Sequence, residues 1–173
     1  RFADHSGQLK GNNDILCLTR PDIIAGLHDA YFAAGADISE TNTFSATTIA
    51  QRDYSLESAA YDINLEGAKL ARAAADRWTA KTPDKPRFAA GSIGPLNVML
   101  SMSSDVNDPG ARLVTFEEVY QAYREQMIAL HDGGVDLFLV ETITDTLNCK
   151  AAIKVILDME DEGYEPLPIW ISG

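Results

Sequence analysis

The sequence is poor in features that mark several large classes of protein. Its 173 residues include only two cysteines, Cys17 and Cys149, so neither a disulfide framework nor a metal site made of paired cysteines is predicted. No apolar run approaches the roughly 18–20 residues that a membrane-spanning helix requires. Basic residues are also few, since 14 Lys and Arg stand against 26 Asp and Glu. The formal net charge of −12 argues against a surface for nucleic acid or for an anionic membrane.

Other expected signals are missing as well. No secretory signal peptide is visible, and the chain begins at Arg1. With so few cysteines, a reducing, cytoplasmic setting is the expectation. No G-x-G-x-x-G sequence follows a predicted strand, which weakens a dinucleotide-binding interpretation. The three histidines, His5, His28 and His131, are far apart and lack metal-ligand spacing.

The composition that remains is that of a globular domain with a real core. Hydrophobic residues make up 46% and charged residues 23% of the chain. Helical and strand patterns alternate along it. The predicted helices cover residues 20–34, 56–78, 115–130 and 146–162, and the predicted strands cover residues 36–44, 87–93, 135–142 and 167–173. Such alternation predicts an α/β fold with a parallel sheet and right-handed crossovers.

Two architectures fit this alternation: a doubly wound open sheet, or part of a (β/α)8 TIM barrel with about four parallel strands. Four strands cannot close an eight-fold barrel, and the chain ends on a strand without a covering helix. Residues 1–173 are therefore expected to be a single, incomplete domain. A long loop over 94–114 is expected to be functional or disordered.

The N-terminal region carries more local expectations. Residues 15–18 are predicted to be a short extended piece within a surface segment. Thr19 is predicted to cap the first long helix, whose buried face would contain Ile24, Leu27 and Tyr31. Gly35 is predicted to end that helix.

Glu141 is the first candidate for chemistry. It directly follows the apolar stretch that begins at Val135, and in strand–helix repeats the carboxyl ends of the strands carry the active site. The structural alternative is a carboxylate that caps the next helix, for which Thr144 and Asp145 are also candidates.

A second polar strand end contains Glu40, Thr41, Asn42 and Thr43. Hydroxyl and amide groups there can orient a small polar substrate, or they can simply satisfy the backbone of a local turn. The Gly-rich segment at 91–95 can approach an anion with its backbone N–H groups, but a tight turn is the preferred interpretation.

Several segments together resemble one family. They are residues 9–14 (LKGNND), 33–38 (AAGADI), 40–44 (ETNTF), 105–109 (DVNDP), and 141–142 (ET) with 145–148 (DTLN). In order and spacing they are similar to the N-terminal homocysteine-binding domain of cobalamin-dependent methionine synthases. The resemblance runs through nearly the whole chain.

The resemblance implies a (β/α)8 barrel that holds homocysteine as a zinc-bound thiolate. Methylcobalamin would supply the methyl group, and 5-methyltetrahydrofolate would recharge it, through folate and cobalamin domains of the same polypeptide. It also implies that Glu141 binds the substrate amino group and that Thr41, Asn42 and Thr43 lie near the substrate.

The same resemblance implies that parts of the domain lie outside these residues. The family's first strand would precede Arg1, and its cysteine zinc ligands would follow Gly173, so no residue here is assigned to metal or to catalysis and the segment alone is expected to be inactive. A cobalamin-independent transferase that uses betaine or S-methylmethionine is an alternative. A non-catalytic interaction module is a more remote one.

Overall fold

The computed structural model describes residues 4–5 and 7–173. Its helices and strands alternate as the sequence predicts. The elements are α1 (Leu16–Thr19), α2 (Pro21–Ala33), β1 (Ile38–Glu40), α3 (Thr48–Gln51), α4 (Ala60–Lys81), β2 (Phe88–Ile93), α5 (Phe116–Asp132), β3 (Leu137–Val140), α6 (Thr146–Asp161) and β4 (Ile169–Ile171), with short 3-10 helices at Arg52–Tyr54 and Glu57–Ala59.

The four strands form one parallel sheet in the order β1-β2-β3-β4. Ala90 of β2 is in register with Glu40 of β1, and Ile93 of β2 is in register with Val140 of β3. Because neighbouring strands in the sheet are also successive in the chain, each crossover carries a helix back to the start of the next strand. The carboxyl ends of all four strands therefore meet at one edge.

The two faces of the sheet have different roles. Phe138 and Val140 of β3 pack into the main core, which α5 and α6 complete with Val119, Met127 and Val155. The alternate residues of the strands face the other way, and there Leu137 and Leu139 pack with Ile38 and Ala90. The helices thus cover one face, while polar and aromatic side chains gather on the other near the strand ends.

Helix ends confirm several local predictions. Thr115 and Glu118 form a capping box at α5, in which Glu118 N donates to Thr115 Oγ1 at 3.2 Å and Thr115 N donates to Glu118 Oε2 at 2.7 Å. Gly35 follows α2 with φ +106°, the left-handed conformation that glycine adopts without a steric penalty.

Two predictions for the N-terminal region are wrong. Residues 15–18 are not extended, because a helical turn begins there: Ile15 N donates to Asn12 Oδ1 at 3.3 Å and Leu16 N to Asn13 O at 3.1 Å, and α1 follows. Thr19 does not cap α2, since its hydroxyl donates back to Ile15 O at 3.1 Å. Arg20 occupies the N-cap position without a side-chain bond.

The buried face of α2 also differs from the prediction. Ile24 is buried as expected, but His28 and Phe32 accompany it, while Leu27 and Tyr31 are 51% and 66% exposed. The helix is rotated because His28 Nδ1 lies 2.6 Å from Ser39 Oγ on β1 and Phe32 packs against α4.

Across the described part of the chain, none of the helices has the length and apolar character that crossing a bilayer would demand.

Candidate substrate-binding site

A cavity of about 480 Å³ opens at the carboxyl ends of β1, β2 and β3. The side chains that follow or end these strands reach it from neighbouring positions. It is lined by Ile24, Leu27, His28 and Tyr31 of α2, by Ile38, Ser39, Glu40, Thr41, Asn42 and Phe44 from β1 and the loop after it, by Ser92 of β2, and by Glu141 after β3. Mostly apolar side chains of α2 thus form one wall, and mostly polar side chains at the strand ends form the other.

A directed chain of hydrogen bonds joins β1 to β2 at this edge. Thr43 Oγ1 donates to Ser92 O at 2.8 Å, and Ser92 N donates to Thr41 Oγ1 at 2.9 Å. Thr41 Oγ1 lies 2.6 Å from Thr43 Oγ1. Because the Thr43 proton goes to Ser92 O, Thr41 must donate to Thr43. Both hydroxyl protons are therefore used within the protein.

Burial separates the two threonines. Thr41 is 4% exposed and borders the cavity, whereas Thr43 is 0% exposed and lies behind it. The structure consequently brings Glu141, Thr41 and Asn42 into one cavity and places Thr43 as support beneath them.

Glu141 is attached to β2 through both its backbone and its side chain. Its N–H donates to Ile93 O at 3.1 Å, and its Oε1 accepts from Ser92 Oγ at 2.6 Å. The next residue, Thr142, has φ +55°, a left-handed conformation that is strained for a β-branched side chain. Glu141 does not cap α6, so the structural alternative for this carboxylate does not apply.

Asp145 is the cap of α6. Its Oδ1 accepts from Leu147 N at 2.8 Å and Asn148 N at 3.0 Å, and its Oδ2 accepts from Ser101 N and Ser101 Oγ. Burial alone would raise the pKa of Asp145, but the bonds from Ser101 and the helix N-terminus hold that pKa below its ordinary value. The same carboxylate thereby ties the 94–114 loop to the N-terminus of α6.

The electrostatic character of the cavity is acidic. Among the described residues that line it, the charged side chains are Glu40 and Glu141. Burial raises the pKa of Glu40 above its ordinary value, and the negative charge of Glu141 raises it further. Two carboxylates that repel each other across a cavity favour a ligand with a positive charge, such as an ammonium group.

The loop after β1 is supported by buried amides that sequence reasoning missed. Gln126 Nε2 of α5 donates to Thr43 O at 2.8 Å, and Asn64 Nδ2 of α4 donates to Ala46 O at 2.7 Å. From the N-terminal region, Asn13 O accepts from Asn42 Nδ2 at 2.8 Å. A polar residue within the apolar stripe of a predicted helix was the available signal for Asn64 and Gln126.

The glycine-rich segment after β2 is a site of close packing. A Cβ at Gly94 would lie 2.4 Å from Phe44 O, and Gly94 N donates to the same oxygen at 3.1 Å. Residues 91–93 are the end of β2 and no tight turn follows at 94–95, so the role of Gly94 is to let the loops after β1 and β2 pack together.

No metal centre is formed within the described residues, because no three His, Cys, Asp or Glu side chains gather at ligand distance there. Cys17 is buried, and its Sγ donates to Asn42 O at 3.3 Å. Burial raises the pKa of Cys17 to about 12, which disfavours the thiolate that zinc requires. Within the part of the chain that the structure describes, the residues therefore do not fit a zinc site of their own.

Comparison with known proteins gives a consistent assignment. A family model described as homocysteine S-methyltransferase matches residues 2–173. Solved structures of the homocysteine methyltransferase MmuM from Escherichia coli have the same fold. Its metallated form is 23% identical to this chain, with a TM-score of 0.73, and the match covers 91% of this chain and 53% of that one. Its apo form is 21% identical, with a TM-score of 0.67, and the match covers 94% of this chain and 53% of that one.

The chain thus spans about half the length of these structures, and its four parallel strands with alternating helices are part of their barrel-like fold. The predicted fold class, a partial (β/α)8 barrel, is confirmed. Because the family model covers nearly every residue, the chain belongs to the homocysteine S-methyltransferase family.

Proposed function

We propose that the protein containing these residues is a cobalamin-dependent methionine synthase and that this chain forms part of its homocysteine site. The observation that carries the proposal is the acidic cavity at the carboxyl ends of β1–β3, in a chain of this family. Residues 1–173 would be the first, incomplete part of the barrel, lacking one strand before β1 and the C-terminal half. The protein would act in the cytoplasm.

In this proposal Glu141 receives the ammonium group of homocysteine. Ser92 already donates to one carboxylate oxygen of Glu141, and the other oxygen can accept from the ligand. Asn42 and Thr41 would contact the polar end of the substrate from the neighbouring strand end, and Thr43 would hold Thr41 in place. Glu40 would add negative charge that favours the cation.

The substrate thiol must lose its proton to act as a nucleophile. In the resemblance on which the proposal draws, zinc supplies that activation and cobalamin carries the methyl group. The described residues offer no group of ligands for the zinc, so zinc would depend on residues beyond this chain. Cobalamin would be bound by another domain of the same polypeptide, as the resemblance implies. Segments 10–14 and 105–109 are the sequence features that favour methionine synthase over a betaine or S-methylmethionine transferase.

The binding role of Glu141 is tested in the complete protein. Glu141→Ala should weaken homocysteine binding, measured by calorimetry, by about 1.5–3 kcal/mol, because a hydrogen bond to a charged group is lost. Glu165→Ala, which removes an exposed carboxylate after α6, is the matched control and should leave the affinity unchanged. Equal affinities for Glu141→Ala and the unmodified protein would exclude this role.

The methyl donor is tested separately. The complete protein is supplied with homocysteine and with methylcobalamin, betaine or S-methylmethionine in turn, and methionine is measured. Methionine formed from methylcobalamin alone is the expected result, whereas transfer from betaine or S-methylmethionine would assign the protein to the alternative branch.

A further inference from the structure

Ser92 occupies the position that links the two sides of the candidate site. It is 2% exposed, lies near the carboxyl end of β2, and borders the same cavity as Glu141. Its hydroxyl donates to Glu141 Oε1 at 2.6 Å. A short bond to an ionised acceptor is among the stronger hydrogen bonds in proteins.

Ser92 is itself held firmly by its neighbours. Its N–H donates to Thr41 Oγ1, and its carbonyl accepts from Thr43 Oγ1. The carbonyl of Thr43 is in turn bonded by Gln126 from α5. The backbone that carries the Ser92 hydroxyl is therefore held by the loop after β1, and that loop is itself bonded to α5.

The Glu141 side chain is costly to hold in one position, so a hydrogen-bond partner that fixes it matters. A glutamate has several rotatable bonds, and ordering it costs about 1.5–2 kcal/mol of side-chain entropy. Glu40 borders the same cavity, and the mutual repulsion of the two carboxylates also works against holding Glu141 there. The Ser92 hydroxyl opposes both effects because it fixes one carboxylate oxygen before any ligand arrives.

We propose that Ser92 is a positioning residue that presents the Glu141 carboxylate to the amino group of the substrate. The inference rests on the proposed role of Glu141 and deepens it. Ser92 would act through Glu141 alone, so its contribution to affinity should disappear when Glu141 is absent. A residue that merely stabilised the fold would contribute equally with and without Glu141.

The test is a double-mutant cycle on homocysteine affinity, measured by calorimetry in the complete protein with Ser92→Ala, Glu141→Ala and the double variant. Ser92→Ala should raise the dissociation constant about tenfold, the size expected for coupled hydrogen-bonded neighbours. In the Glu141→Ala background the same change should alter the constant less than about twofold. Ser92→Thr keeps the hydroxyl and should stay within about threefold of the unmodified protein.

Thr47→Val serves as the control for stability. Thr47 is buried, and its hydroxyl caps α3 without bordering the cavity. It should lower the unfolding midpoint while leaving homocysteine affinity unchanged, and a loss of affinity in Thr47→Val would overturn the inference because destabilisation alone would then account for Ser92→Ala.

The cycle separates this inference from the proposed function. Unchanged affinity in Ser92→Ala, with weakened affinity in Glu141→Ala, would overturn the positioning role and keep the site. Additive effects of the two substitutions, or failure of Ser92→Thr to restore binding, would overturn it as well. Unchanged affinity in Glu141→Ala would instead reject the proposed site itself.

Discussion

Replacement of Asp14 by Asn should stabilise the protein, and the gain should depend on pH. Asp14 is 7% exposed and lies between α1 and the loop after β1. Its backbone partner on that loop, Ser45 N, donates to Oδ1 at 3.5 Å, a long bond. Burial raises the pKa of Asp14 to about 6, although backbone hydrogen bonds from Ser45 and from its own N–H oppose the shift.

The sign of the effect follows from proton binding. Between its ordinary pKa of 3.8 and its folded pKa of about 6, the folded state holds a proton on Asp14 that the unfolded state has released. Stability therefore falls as pH rises through this window and stays lowered above it. The cost of the buried carboxylate at pH 8 is on the order of 3 kcal/mol, at 1.36 kcal/mol per pKa unit.

An amide at position 14 has nearly the same shape and carries no charge to desolvate. Asp14→Asn should raise the free energy of unfolding by up to about 3 kcal/mol at pH 8, less the cost of any amide hydrogen bond left unmade. At pH 5 the gain should be smaller by about 1.4 kcal/mol, because the folded wild-type protein is then mostly protonated at Asp14.

Urea unfolding followed by tryptophan fluorescence at pH 5 and pH 8 measures both values. Asp84→Asn is the control, since Asp84 is exposed in the turn between α4 and β2 and should change stability by less than about 0.5 kcal/mol. A gain for Asp14→Asn that is equal at the two pH values, or a net loss at pH 8, would refute the assignment of a buried, destabilising charge.

Two further predictions concern backbone positions. Gly67→Ala in α4 should destabilise the protein by about 1–3 kcal/mol, because its Cβ would lie 2.7 Å from Thr43 Cγ2 and 3.3 Å from Cys17 Sγ. Gly26→Ala in α2 is the control: a Cβ there has nothing within 4 Å, so this substitution should stabilise the protein by about 0.5–1 kcal/mol. Similar changes in stability for the two variants in thermal unfolding would contradict the close packing at Gly67. Thr142→Gly should be neutral or stabilising by up to about 1 kcal/mol in denaturant unfolding because it relieves a left-handed φ, and a clear loss of stability would argue against strain there.

The parts of the fold that could be predicted depend on local signals. A few consecutive residues were enough to predict three features: the apolar stretch of β3 before Glu141, the capping box at Thr115 and the turn at Gly35. The structure confirms all three. The face of α2 could not be predicted in the same way. Hydropathy favours Leu27 and Tyr31 over His28, and the partner that buries His28 is Ser39 on the following strand.

The candidate site shows the same limit. Strand order and the alternation of side chains suffice to expect that Thr41 and Glu141 share one edge, but the part played by Ser92 depends on the register between β2 and its two neighbours. Its amide reaches Thr41 and its hydroxyl reaches Glu141 only in that register. The sequence around Ser92 predicts the end of a strand and a turn after it, and it contains no sign of these partners.

Charged groups at the two ends of the sheet differ in their partners, and this difference supports the proposed site at the carboxyl ends. At the amino ends of the strands Asp136, just before β3, pairs with Arg72 of α4 and accepts from Ala89 N at 2.7 Å, while Arg72 also donates to Arg87 O at 3.2 Å. The charges of Arg72 and Asp136 balance each other there, as expected of an edge that serves stability. At the carboxyl ends Glu40 and Glu141 border the same cavity, the charge of Glu141 raises the pKa of Glu40, and the described side-chain partner of Glu141 is the neutral Ser92 hydroxyl. An arrangement that leaves negative charge unbalanced at one edge costs stability, and it becomes favourable when a cationic ligand completes it.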